Sequence, residues 1–375
     1  MKNQVKVNQI ALILMLIVSG GKYMSLPQTL SQQVGRDAWL VTLMLLVADL
    51  LCLSMLVWAI RLNKSRLSLN QLLNDSVGKV VAKLVLTIFA CFMVVRLVTL
   101  YSGVYELFVA TFGIRTNWAG FALPLATLVC FALSKGMQPL ARTNQLLSAI
   151  IAVSLIAILI LPSRQANLSQ LLPVGQSGAG KIATCALKNG FWFSDYVFLY
   201  FVLDGIHVKK RTFLPILGFF GIGATLTVFM YVLFTGLFGN MAQYTDLAMS
   251  KVSQFVVTSA VNGRIDWLFV TIWTLSVFIK ISVFTFSLYK CLTYLLGDNR
   301  CKFNLPLGLV ATSAILLPLF VTVKHLSQVV TNYLRYPFYV VQYLLPLTMP
   351  LLVKVANDKN KTKQEKTQCQ TKTNT

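Results

Sequence analysis

The sequence predicts an all-α polytopic membrane protein of ten transmembrane helices, built as two inverted five-helix repeats with helices 1 and 6 broken. Three observations predict it. The chain of 375 residues is 56% hydrophobic and only 12% charged, with a mean hydropathy of +0.71, which no ordinary soluble domain approaches. Ten stretches reach the roughly 20 apolar residues that a membrane-crossing helix needs. Two of them, at corresponding places in the two halves, are interrupted by Gly, Lys and Asp. Paired discontinuous helices in inverted repeats mark a binding site near the bilayer midplane.

The first stretch, 9 to 33, runs "QIALILMLIVSG" into "GKYMSLPQTL". Glycines weaken a helix and proline removes a backbone donor. In hydrocarbon such a break survives only where protein or a water-filled cavity satisfies the freed N–H and C=O groups. The basic start lacks a small-residue cleavage site, so it is expected to remain as the first span. The second stretch, 38 to 60, is uninterrupted save for Asp49. Residues 66 to 80, with Leu67, Leu69, Leu72, Leu73 and Val77, predict a short amphipathic helix at the cytoplasmic interface.

The third (80 to 111), fourth (118 to 134) and fifth (143 to 162) complete the first half. The sixth, 182 to 206, is broken at Lys188-Asn189-Gly190 and again at Ser194-Asp195. The seventh (213 to 238), eighth (265 to 296), ninth (305 to 323) and tenth (332 to 353) follow. The third and eighth are long enough that they must tilt or project beyond the bilayer. The repeats are thus about 9–162 and 182–353 within one membrane domain, 1–353. Residues 354–375, polar and lysine-rich without apolar periodicity, predict a disordered basic tail.

A net charge of +22 points to topology here and not to nucleic acid. One set of alternate connections, including both termini, carries 21 Lys and Arg, and the opposite set carries 8. That asymmetry places both termini, and the "KKR" loop around residue 210, in the cytoplasm. Seven cysteines lie without C-x-x-C spacing and predict no disulfide framework. No His/Cys/Asp grouping has metal-ligand spacing, and no nucleophile elbow, Walker loop or paired carboxylates appear, so neither a metal, a cofactor nor an enzyme activity is expected.

The four basic residues within spans, Lys22, Arg96, Lys280 and Arg335, and the acids Asp49 and Asp195 carry most of the remaining information, because intramembrane charges are costly and mark function by default. Asp195 either meets a ligand or holds the fold through an ion pair. Lys22 either pairs with it or points into an outer vestibule. Lys280 either supplies a fixed cation, with Ser276 and Phe284 on its face, or bridges to Asp49 or Asp195. Arg335, among aromatics, is an anchor for helix 10. Tyr101 and Tyr105, four apart on one face of helix 3, either wall a cavity or form a lipid-interface belt. The breaks suit a zwitterion: helix-end N–H groups for a carboxylate, Asp195 for an ammonium. The candidate ligand-binding residues are therefore Gly20, Gly21, Tyr23, Tyr101, Tyr105, Gly190, Phe193, Ser194 and Asp195. Lys22, Asp49, Arg96 and Lys280 are candidates for gating or charge pairing.

The segments "GKYMSLPQTLSQQVGRDAWL", "GFWFSDYVFL" and above all "NGRIDWLFVTIWTLSVFIKI", with Trp39, Trp267 and Trp273, resemble the B subunit of bacterial spore germinant receptors, a spore permease family of the amino acid–polyamine–organocation transporter superfamily. The resemblance covers residues 5 to 353. It implies a LeuT-like fold, a transporter-like membrane domain and the sensing of a small nutrient germinant; the two breaks and Asp195 favour an amino acid, while a nucleoside or sugar would lean on Tyr101, Trp192 and Phe193. It also implies a receptor A subunit and a lipoprotein C subunit as partners in the spore inner membrane. The alternative is a permease in the bacterial cytoplasmic membrane that transports the same ligand. At the sixth break this chain carries "FSD" where relatives show a Pro-Phe-Gly-Glu type of sequence.

Overall fold

In the computed structural model, residues 6–20, 22–63, 65–113, 118–134, 136–203, 210–254, 266–296 and 333–373 are described. The expected ninth span lies outside them, as do Gly21, Asp204, both histidines and the "GRI" of 263–265. The described residues are helical, with no strand among them. The chain is an all-α polytopic membrane protein. Among the described residues six helical segments are long and apolar enough to cross a membrane: Leu26–Leu62, Lys79–Phe112, Met137–Ser163, Phe213–Tyr244, Val270–Leu296 and Arg335–Asn360. Two shorter apolar helices, Val7–Gly20 and Gly120–Leu133, accompany them.

Helix 1 is broken as expected. Its first half, α1 (Val7–Gly20), ends at the glycine, and its second, α2 (Leu26–Val34), starts with Pro27 in its first turn, where the missing N–H costs nothing. A short 3-10 turn, Gly35–Asp37, leads to α3 (Ala38–Leu62). The expected interface helix is α4 (Leu69–Val77), opened by a reciprocal capping box between Ser68 and Gln71 that satisfies two otherwise orphaned donors. Helix α5 (Lys79–Phe112) follows, then α6 (Trp118–Leu133) and α7 (Met137–Ser163). With 34 residues, α5 is about 51 Å long, well beyond the roughly 30 Å of hydrocarbon it crosses.

Helix 6 is broken more severely. Its first half is α8 (Ala179–Asn189), followed by a 3-10 turn, Gly190–Trp192, and a second 3-10 stretch, Asp195–Phe201. Between them Ser194 sits at φ +64°, the left-handed region that non-glycine residues rarely enter. Then come α9 (Lys210–Phe238), α10 (Ala248–Gln254) and α11 (Asp266–Leu296). Helix 10 starts as α12 (Arg335–Tyr339), widens into a π-helical turn (Val340–Leu344) and continues as α13 (Leu345–Thr373).

The tail corrects the sequence reading. Residues 354–373, expected to be disordered, continue α13. No glycine or proline follows Pro350 to stop the helix, and Lys, Gln and Glu all sustain one. The start of this extension is also docked: Asn357 donates to the Leu62 carbonyl (3.0 Å), Lys359 to that of Asp75 (2.8 Å), and Ala356 is buried.

The core is organised around the two broken helices. Helix α1 packs against α9, α7 and α11, and α11 against α5. The second half of helix 1 meets the first half of helix 6, where Asn189 donates to Gln33 (2.9 Å), and α1 meets the second half of helix 6. This crosswise pairing is what an inverted repeat requires.

Candidate functional site

The backbone carbonyls freed by both breaks are met by Lys22 and by side chains and amides from other helices. At helix 1, Ser276 of α11 donates to the Leu16 carbonyl (3.2 Å), Lys280 to Ile17 (3.3 Å) and Lys22 to Val18 (3.2 Å). Tyr231 of α9 donates to the Lys22 carbonyl (3.0 Å), and the first amides of α10 donate to Tyr23 and Met24. At helix 6, Tyr339 donates to the Leu187 carbonyl and Tyr343 to Gly190. The Gln342 amide reaches the carbonyls of Gly190, Phe191 and Phe193 at 3.3 to 3.5 Å. Gln342 is fully buried, and the π-helical turn of helix 10 holds it against the break.

Asp49 answers the strained residue. Its carboxylate accepts the Ser194 N–H (2.8 Å) and the Ser194 hydroxyl (3.2 Å), so α3 fixes the left-handed conformation at the centre of helix 6. It makes no salt bridge among the described residues; its partner is this residue of backbone.

The next residue, Asp195, is the hub. Lys22, from the first break, and Arg96, from the middle of α5, each form an ion pair with it, and Lys280 of α11 lies 2.7 Å from its Oδ1. Exposure is 3% or less for all four residues. Arg96 donates also to the Phe191 carbonyl (3.2 Å), joining helix 3 to the break of helix 6. Aromatic rings flank the cations: Phe193 is 5.0 Å from Lys22 Nζ, Phe191 5.5 Å from the Arg96 guanidinium, and Phe284 5.7 Å from both Arg96 and Lys280. An ionic cluster this dry depends on the carbonyls and rings that meet most of its remaining protons.

Alternatives that the sequence left open are thereby narrowed. Lys22 pairs with Asp195 and does not point into a vestibule. Lys280 bridges to Asp195, not Asp49. With both Asp195 oxygens held by protein cations, a ligand ammonium there has to compete with three side chains.

The glycines also have protein neighbours. A Cβ on Gly20 would overlap Ser276 Oγ, and one on Gly190 would lie 3.0 Å from the Tyr339 hydroxyl. Their small size lets α11 and helix 10 approach the breaks. Phe193 is buried beside the cluster, and Tyr23, next to Lys22 in the chain, is buried as well. Tyr101 is buried and Tyr105 half-buried with its ring 5.9 Å from Phe121 of α6. Along α5 they lie about 7.5 and 13.5 Å from Arg96, so Tyr105 belongs to the α5–α6 contact and not to the ionic hub. Arg335 is half-buried and stacks on the exposed Tyr336, 4.8 Å away.

Gln342, Tyr343, Tyr339 and Tyr231 were not legible as site residues. Each is an uncharged polar group inside or beside an apolar run, and only tertiary packing shows which carbonyl it meets. Among the described residues no group of three or more His, Cys, Asp or Glu is placed to hold a metal ion.

Comparison with known proteins agrees with this architecture. The model of the spore germination protein family matches residues 4–329. Among solved structures, the nucleobase-cation-symport-1 family transporter Mhp1, in a closed conformation with bromovinylhydantoin bound, is 11% identical with a TM-score of 0.57, covering 84% of this chain and 72% of its own. Two substituted forms of the Eremococcus coleocola manganese transporter, 13% and 12% identical, give TM-scores of 0.56 and 0.55, each covering 93% of this chain and 76% of theirs. At these identities the likeness is one of fold, a LeuT-like transporter fold. No curated protein sequence matches the chain.

Proposed function

The chain belongs to the spore germination protein family, and from that membership we propose that it is the nutrient-sensing membrane subunit of a spore germination receptor. The observation that carries this reading is the meeting of the two broken helices at Asp195, where Lys22, Arg96 and Lys280 draw helices 1, 3, 6 and 8 onto one residue. A ligand that rearranges those contacts shifts four helices together, and a ligand can drive a conformational change only through such a difference in contacts between states.

The ligand is a small nutrient, an amino acid in the first instance, bound where Tyr23, Phe193 and the cluster adjoin. The subunit catalyses no reaction. It works with a receptor A subunit and a lipoprotein C subunit in the spore inner membrane, with both termini cytoplasmic. A permease that carries the same ligand across the membrane is the second reading, favoured by the transporters whose fold it shares.

A thermal-shift screen of purified protein against amino acids, purines and sugars tests the first step. Binding at 100 times the dissociation constant stabilises by about 2.7 kcal/mol, and one chemical class should stand out. Stabilisation by no class would remove the reading. Saturable uptake into liposomes by the isolated protein would favour the permease.

A further inference from the structure

The buried charges do not balance. Around the breaks stand three cations, Lys22, Arg96 and Lys280, and two carboxylates, Asp195 and Asp49. Asp49 is taken up by Ser194, and Asp195 alone faces all three cations. Counting both acids still leaves one positive charge in excess among the described residues, at a depth where water does not screen it. An uncompensated buried charge is strongly unfavourable, and an opposite charge is its natural remedy.

A second, independent observation marks where that charge belongs. Arg96 is 3% exposed, and its guanidinium spends NH1 on the Phe191 carbonyl and NH2 on Asp195. Its Nε–H has no acceptor among the described residues. A guanidinium presents five donors in a planar fork and binds anionic oxygens best along an edge. Here one edge is incompletely used, beside two ammonium groups, with Phe191, Phe193 and Phe284 around them.

We infer that the Lys22–Arg96–Lys280 cluster is an anion site, which takes the carboxylate of a bound nutrient or a small inorganic anion such as chloride. This rests on the proposed placement of the ligand at helices 1 and 6 and reverses its expected orientation. The carboxylate end faces Arg96 and the lysines, and Asp195 acts as the internal counterion that shares them. Occupancy by an anion weakens the hold of Asp195 on the cluster, which couples binding to the helices that Asp195 ties together.

The experiment uses full-length protein purified in detergent, with HEPES as the sole buffer anion, and follows Tm during titration with sodium chloride or sodium acetate against matched sodium HEPES. Wild type should show a saturable rise. Asp195→Asn, which removes the competing counterion, should reach half-saturation at a concentration at least tenfold lower. Lys280→Met should shift it at least tenfold higher. Saturation by chloride alone identifies a free inorganic anion, and saturation by acetate identifies a carboxylate; either supports the site. If wild type and Asp195→Asn respond to both salts no more than to sodium HEPES, the anion site is wrong. Should Asp195→Asn fail to accumulate, identical titration curves for wild type and Lys280→Met overturn it equally. Failure of the functional reading looks different: anions then saturate while no nutrient of any class binds. Conversely, a nutrient that binds equally well with its carboxylate replaced by a carboxamide leaves the nutrient site standing and removes the carboxylate assignment.

Discussion

Lys280 Nζ lies 2.7 Å from Asp195 Oδ1 and donates at the same time to the Ile17 carbonyl at 3.3 Å. One ammonium thus ties helix 8 to both broken helices. An ammonium fixed there supplies a positive charge between helices 1 and 8 without a bound ion. Nutrient binding is therefore expected to be independent of sodium. Lys280→Met should impair the germination response while lowering abundance less than twofold, because Lys22 and Arg96 still pair with Asp195. Binding assays in sodium and potassium buffers, with immunoblots of the variant, check both parts. Sodium-dependent binding, or a normal response at normal abundance, would sink the idea.

Gly20 faces Ser276, and a Cβ there would overlap the serine hydroxyl. Gly20→Ala should cost about 1 to 3 kcal/mol, the usual range for overpacking a tight contact. Ser276→Gly, in the same molecule, should recover most of it. Thermal unfolding of the single and double variants measures the coupling. Simple additivity of the two changes would show that the contact is not the cause.

Asp49 holds Ser194 in a conformation that L-residues avoid. Asp49→Ala leaves a buried N–H unsatisfied, a loss of about 1 to 3 kcal/mol, and frees a residue whose backbone is itself strained. Adding Ser194→Gly should return part of this, since glycine adopts a positive φ without penalty. A double variant as unstable as Asp49→Ala alone would argue that Asp49 acts elsewhere.

From the basic-residue asymmetry, Lys251 is expected outside and Lys210 inside. In a version without native cysteines, a thiol introduced near Lys251 should react with an impermeant reagent and one near Lys210 should not. The reverse labelling pattern would invert the topology.

The breaks and the charged residues were legible in the sequence because both violate the rules of an apolar span: "GGKYMSLP" cannot continue a helix without help, and an isolated Asp195 needs a counterion. That Lys22 is this counterion was one of two alternatives the sequence left open, the other being an outer vestibule. The convergence of Arg96 and Lys280 on the same carboxylate did not follow, since register between helices 3, 6 and 8 is set by packing that a single sequence leaves open. Gln342 carried no signal at all, being a single uncharged polar residue in the apolar run of helix 10. The helical continuation after Lys354 was hidden for another reason: its composition is that of a solvated tail, and composition does not reveal docking on α4.

The central claim, that the nutrient is sensed where the two broken helices meet, is tested most directly by the germination dose–response of spores whose only copy carries Phe193→Leu. Phe193 is fully buried and its ring adjoins Lys22, so the change alters the wall of the site without adding or removing charge. With protein abundance matched to wild type, the half-maximal nutrient concentration should rise at least tenfold while the maximal rate is retained. An unchanged half-maximal concentration at matched abundance would contradict the account.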